Sequence, residues 1–173
     1  MGQVNFIDKG IHLIRHVNAQ GYRLNQTDGV WQTRDGDEDA VNTLIAEFDP
    51  LPIAQVENIK KVKDIAEATR LRFITPGSGK SMTYLRKEQS ARAFKAAGYT
   101  GDAPEMIKAV SIANNITAKA AADLLIAKAD AWEKIGAFIE QIEEAATKAI
   151  EEAISYKACS VIAEDAIETL EGV

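Results

Sequence analysis

Residues 117–154 constrain the fold of this chain more than any other stretch: TAKAAADLLIAKADAWEKIGAFIEQIEEAATKAIEEAI. The stretch holds no proline, its only glycine is Gly136, and strong helix formers (Ala, Leu, Glu, Lys, Gln) make up most of it. Thr117 is placed to cap it, its hydroxyl accepting a free backbone N–H of the first turn. A strict 3-4 alternation runs Leu125, Lys128, Trp132, Ile135, Ile139, Ile142, Ala146, Ala149, Ala153 and is apolar everywhere but at Lys128. That is the pattern of a coiled-coil-like seam. A second set, Leu124, Ala131, Phe138, Ala145 and Ala149, widens the stripe as in a globular bundle. Bulky residues fill the first half and alanines the second. At about 25 cal/mol per Å² an alanine seam is a weak core by itself, so the second half is expected to pack on a partner helix of this chain or of a neighbouring copy. Trp132, Ile135, Ile139, Ile142, Ala146 and Ala149 form the expected packing or assembly surface. Gly136 costs roughly 1 kcal/mol against Ala and is expected to let another backbone come close.

The length of 173 residues allows one domain, or one with a small annex. With 46% hydrophobic and 27% charged residues the composition is that of an ordinary soluble globular chain. A net charge of −6 argues against general affinity for nucleic acid, whose phosphates need a basic face. No apolar run is long enough to span a bilayer, and MGQVNFIDKG carries neither a signal-peptide core nor, with Phe6 at the sixth position, the myristoylation pattern. The single cysteine, Cys159, has no base beside it and reads as a small, partly buried residue. A cytosolic origin is expected.

Residues 1–50 read as a small α/β module, helix–hairpin–helix, suited to docking. A helix over 6–19 ends at Gly21 as a C′ residue. Two short strands at 22–24 and 30–33 flank a polar loop whose strongest turn pair is Asp28-Gly29. A second helix over 38–48 buries Val41, Leu44, Ile45 and Phe48, and Pro50 and Pro52 punctuate its end. A helix over 53–71 carries Val56, Ile59, Val62, Ile65, Ala66 and Ala68 inward, with Arg70 and Arg72 complementing its C-terminal dipole. Phe73-Ile74-Thr75 reads as extended, before the loop Pro76-Gly77-Ser78-Gly79-Lys80. The next helix, capped by Ser81 or Thr83, runs to about Ala97 and ends at Gly98, with Met82, Leu85, Ala91 and Phe94 facing in. Asp102-Ala103-Pro104-Glu105 reads as a capping box for a shorter helix ending near Asn114-Asn115. An acidic amphipathic helix over 161–170 closes the chain. The expected class is mainly α: a helical domain over 53–156, after the N-terminal module, and a C-terminal amphipathic helix within 157–173.

Few groupings suggest chemistry. Gly77-Ser78-Gly79-Lys80-Ser81 resembles the end of a phosphate-binding loop, but the pattern needs glycine at position 74, where Ile74 stands. A turn that uses two glycines is the simpler reading. His12 and His16 share a helix face at i, i+4, as two metal ligands would, yet a third ligand is not apparent beyond Asp8 and the metalloprotease glutamate is replaced by Leu13. A solvated or partner-facing pair is expected. Glu140, Glu143, Glu144, Glu151 and Glu152 line the polar side of the long helix without the Glu-x-x-His signature. No catalytic, cofactor or metal residue is assigned.

The order of features from 53 to 153 is similar to a known family. It runs helix, Arg72-Phe73-Ile74-Thr75, glycine loop, Thr83-Tyr84-Leu85-Arg86-Lys87 with Ala91 to Phe94, Pro104 with Met106 and Ile107, Asn114-Asn115-Ile116-Thr117, then an alanine-rich helix with Ala131-Trp132. It resembles a domain of unknown function, the DUF4376 type, found in proteins associated with the tails and tail fibres of tailed bacteriophages. The resemblance covers rather more than half the chain and carries Phe73, Thr75, Tyr84 and Lys87 as pattern residues, with Tyr84 and Lys87 clamping the loop and Tyr84 covering Phe73. It implies no catalytic residues. It implies a virion component made in the host cytoplasm: a structural, non-enzymatic tail protein such as a tail-fibre connector, baseplate accessory or fibre-attached protein. Its expected partners are other tail or tail-fibre proteins and copies of itself. The alternative is a tail-fibre assembly chaperone.

Overall fold

The computed structural model describes residues 1–74 and 80–173. The chain is mainly α-helical, with a small antiparallel sheet near its N-terminus. The elements run β1 (Gly2–Gln3), α1 (Ile11–Ala19), β2 (Asn25–Thr27), β3 (Val30–Thr33), α2 (Glu38–Glu47), α3 (Leu51–Phe73), α4 (Lys80–Ala96), α5 (Glu105–Asn114), α6 (Ala118–Glu151) and α7 (Tyr156–Glu171). They form two compact units, Met1–Lys63 with Ala145–Ile167, and Asp64–Glu144 with Glu168–Val173. The first unit therefore takes in all of residues 1–50 and adds pieces of α3, α6 and α7.

In the first unit the strand order is β1-β3-β2. Thr27 pairs with Val30, leaving Asp28 and Gly29 as a two-residue loop with φ 51° and 81°. Two positive φ values define the type I′ turn that matches strand twist. That turn fixes the register, so the strand expected at 22–24 lies at Asn25–Thr27, while Tyr22 and Leu24 pack on the core. The core holds Val4, Leu13, Val17, Val41 and Ile45, ringed by Phe6, Trp31, Leu44 and Phe48. Phe6 stacks on Trp31 with centroids 4.1 Å apart. The first helix begins at Ile11, not at residue 6, because Gly10 adopts φ 77°, ψ −177°. Only glycine tolerates that conformation, and the Tyr156 ring lies 3.3 Å from where a Cβ would stand. After α1, Gly21 and Tyr22 donate back to Asn18 and Val17, a Schellman stop. The side-chain ammonium of Lys9 donates to the carbonyls of Ala46 (2.9 Å) and Phe48 (2.6 Å) at the end of α2. Gln55 does the same for Ile150 (3.2 Å) and Glu151 (2.9 Å) at the end of α6.

α3 starts two residues earlier than expected, with Asp49 accepting the Leu51 N–H at 2.9 Å and Pro52 in the first turn, where a missing N–H costs nothing. Ala54, Val62 and Ala66 are buried, whereas Val56 and Ala68 are exposed and so are not inward residues. Phe73 is the last residue of α3, not extended chain. α4 begins at Lys80, which places Ser81 and Thr83 inside the helix rather than at its cap. In the second unit Ala91, Phe94, Ile107, Ala121, Ala122 and Ile126 make one core. Met82 and Leu85 are exposed: α4 packs through its second half. The capping box is not formed. Pro104 is the N-cap of α5, with no side-chain bond to it, and the residue before a proline is held out of helical conformation. Arg70 and Arg72 stand in the last turn of α3, as expected, and also reach beyond it. The Arg72 guanidinium donates to the carbonyls of Leu170 (2.9 Å) and Glu171 (3.3 Å), closing α7.

Helix α6 runs unbroken through Gly136. Thr117 caps it, accepting the Ala120 N–H at 3.1 Å. Of the seam, Ile139 and Ala146 are buried, as is Ile150 beside it, and Trp132, Ile135, Ile142 and Ala149 are half-buried. Of the widened stripe, Ala131, Phe138 and Ala145 face solvent, while Leu124 and Ala149 are half-buried, so the inner face broadens only at the two ends of the set. Among the described residues, the neighbour of a Cβ placed on Gly136 is the Trp132 ring, at 3.7 Å, and no other backbone approaches. α7 begins five residues before the expected start, capped by Ser155, which accepts the Ala158 N–H at 3.2 Å. Urea unfolding followed by helix signal is expected to move in opposite directions for two substitutions in α6. Thr117→Ala loses about 1 kcal/mol, and Gly136→Ala gains up to roughly 1 kcal/mol because the new methyl meets only ordinary contact.

Candidate functional site

The groups singled out for chemistry are mostly engaged in structure. His12 Nε2 lies 3.0 Å from Glu57 Oε2, joining α1 to α3. The His16 ring stacks on Phe48 at 4.9 Å. Among the described residues no set of three or more His, Cys, Asp or Glu is arranged to hold a metal ion. Cys159 is fully buried, its Sγ 3.9 Å from the Ile150 carbonyl, and burial pushes its thiol up. Glu140 and Glu143 both accept from the Arg70 guanidinium, at 2.5 and 2.8 Å, within the second unit. The glycine loop at 75–79, with pattern residue Thr75, lies outside the described residues, and so does the expected clamp on that loop. Lys80 opens α4. No helix among the described residues is long and apolar enough to cross a membrane.

One cluster was not anticipated. At the end of α4, Gly98 and Tyr99 donate back to Lys95 and Phe94, and Tyr99 itself has φ 60°. Left-handed backbone is strained for a bulky residue and persists only where its surroundings hold it. Three contacts do so. The Tyr99 hydroxyl donates to Asp123 Oδ1 at 2.5 Å, the ring meets Phe94 edge-on at 5.7 Å, and Lys119 Nζ lies 5.3 Å above its face. The Asp123 bond, with burial, pushes the phenol up to about 12. The same bond, with Lys95 3.6 Å away, holds the Asp123 carboxyl below its usual value of 3.8. The cluster locks the α4–α5 corner onto α6. The sequence signal, Gly98-Tyr99-Thr100-Gly101, had been read only as a helix stop.

The second unit presents several large apolar side chains to solvent. Leu71 and Phe73 at the end of α3 are 44% and 41% exposed, and Met82 and Leu85 at the start of α4 are 60% and 54% exposed. Tyr84 is exposed with them. The ring partner of Phe73 among the described residues is Trp132, with centroids 6.5 Å apart. Lys87 is half-buried. In the first unit a shallow open groove of about 490 Å³ is lined by Asn5, Ile7, Asp39, Asn42, Thr43, Ile45 and Ala46. Its lining mixes aliphatic side chains with two amides, the Asp39 carboxylate and the Thr43 hydroxyl, and Asn42 Oδ1 is already taken by the Asn5 N–H at 2.7 Å. The sequence matches no family model, and neither curated proteins nor solved structures give a match.

The Tyr99–Asp123 bond makes a pH prediction whose sign is set by the two shifts. The raised phenol contributes stability below pH 10, lost as pH rises through about 12. The lowered carboxyl contributes above its ordinary 3.8 and loses it as pH falls through its folded value. Tyrosinate absorbance of the folded protein is expected to show a step near pH 12 that Tyr99→Phe removes. The same substitution should flatten the stability profile at its alkaline end.

Proposed function

We propose that this chain is a non-enzymatic structural component of a bacteriophage tail, a fibre connector, baseplate accessory or fibre-attached protein, that acts through protein–protein contacts. The setting rests on the resemblance of residues 53–153 to the tail-associated domain. The observation that carries the mode of action is apolar exposure at two helix ends: Leu71 and Phe73 at the end of α3, and Met82 and Leu85 at the start of α4, each at least 41% exposed. Large apolar side chains left exposed at helix ends are of the kind found where surfaces meet other proteins. Helix faces suit the role, because a rigid element presents such side chains without an ordering cost at binding.

The same exposure favours one alternative, a tail-fibre assembly chaperone, which would hold an unfinished fibre by its apolar segments and then leave. Quantitative mass spectrometry of purified particles from the source of this chain separates the two. A fixed ratio to the tail-tube protein is expected for the structural component. Presence in infected lysate with absence from particles would overturn it in favour of the chaperone, and absence from both would overturn the phage setting altogether.

A further inference from the structure

The charge of this chain is segregated along its length. Between Arg70 and Lys95 the sequence carries seven cations and one acid, and between Glu140 and Glu171 nine acids and two lysines. Part of this is spent within the chain: Arg70 on Glu140 and Glu143, Arg92 on Glu88 and Asp130, Lys95 on Asp123. Lys80, Arg86 and Lys87 have no ion-pair partner among the described residues, and they interleave with exposed Met82 and Leu85. On the acidic side, Ile154 in the turn between α6 and α7 is 93% exposed, flanked by exposed Glu151 and Glu152. Glu152 has only a long 4.0 Å contact with the solvated Lys148, a pair worth little.

Both places also contradict their helix. Lys80 puts a cation at the N-terminus of α4, where the macrodipole favours an anion, and Glu151 and Glu152 put anions at the C-terminus of α6, where it favours a cation. The α6 end is relieved in part by Lys148 in its last turn and by the Gln55 amide on the Ile150 and Glu151 carbonyls, and local conflicts of this kind mark surfaces selected for something other than stability. Nucleic acid fits poorly, since the basic end is half apolar and the chain as a whole is at −6. The complement in charge and in apolar character is present on the chain itself.

We infer that copies of this chain associate head to tail, the basic apolar start of α4 in one copy seating on the acidic turn around Ile154 in the next. The inference deepens the reading of the chain as a protein that acts by protein contacts and rests on that part of it. The contact is heterologous, so repetition gives a ring or an open row rather than an isolated pair. It is strengthened at low ionic strength, because the Debye length shrinks from about 10 Å at 0.1 M salt to about 3 Å at 1 M.

Sedimentation velocity over a concentration series tests it. The full chain is expected to gain mass with concentration at low salt and to lose that gain at high salt. Lys80→Glu with Arg86→Glu, and separately Glu151→Lys with Glu152→Lys, should each abolish association while raising thermal stability, since each restores the favourable dipole sign. Mixing the two variants should restore association, because each reversed surface meets its complement on the other. Ile154→Ser, at a site folding does not use, should weaken association alone. A wild-type chain that stays monomeric at low salt overturns the inference, and so does an oligomer indifferent to both charge reversals or a mixture that fails to recover. None of these outcomes alters the particle stoichiometry, which tests the tail reading separately.

Discussion

A helix cannot satisfy its own last carbonyls, and the ways in which this chain meets that need tie its parts together. α1 and α4 end on glycines, and α5 on Asn115 in left-handed conformation, each folding the chain back onto its own helix. α2, α6 and α7 end instead on a side chain from far away in sequence: Lys9, Gln55 and Arg72. The first kind of stop works in an isolated peptide. The second exists only once the helices are docked, so it makes helix length a consequence of tertiary structure. Hydrogen bonds to charged donors contribute about 1.5–3 kcal/mol each, against about 1 for a neutral one. The Lys9 and Arg72 contacts are therefore comparable to burying a leucine.

The distinction also sets what could be read from the sequence. Gly21, Gly98, Thr117 and Asp28-Gly29 are local signals, and each sits where its motif requires. Arg72 was assigned to the dipole of its own helix because a sequence shows neighbours, and its partner, Leu170, lies 98 residues away. The apolar period of a helix likewise says which side is hydrophobic but not how far a partner extends along it. Val56, Met82, Leu85 and Phe138 keep the period and still face solvent, because the packing stops short of them. Those residues are the apolar surface left over after folding.

For the candidate site the legible part was charge. The basic run before residue 96 and the acidic run after residue 139 are plain in the sequence. What the structure adds is which of those charges are already spent and which stand beside exposed apolar side chains. The Tyr99 lock was not legible, since nothing in Gly98-Tyr99-Thr100-Gly101 signals that the phenol finds Asp123, a full helix later. His12 and His16 share a helix face at i, i+4, and that face is divided between a hydrogen-bond contact to α3 and an aromatic stack.

The small sheet has a consequence of its own. Its outer strands are two residues long on one side and three on the other, and the longer, Asn25-Gln26-Thr27, is polar and exposed throughout. An open sheet edge is a template on which another chain can crystallise into fibrils, and natural sheets guard against this with short, hydrophilic borders. This sheet is too narrow to serve as such a template. Each edge therefore offers another chain little backbone on which to add a strand.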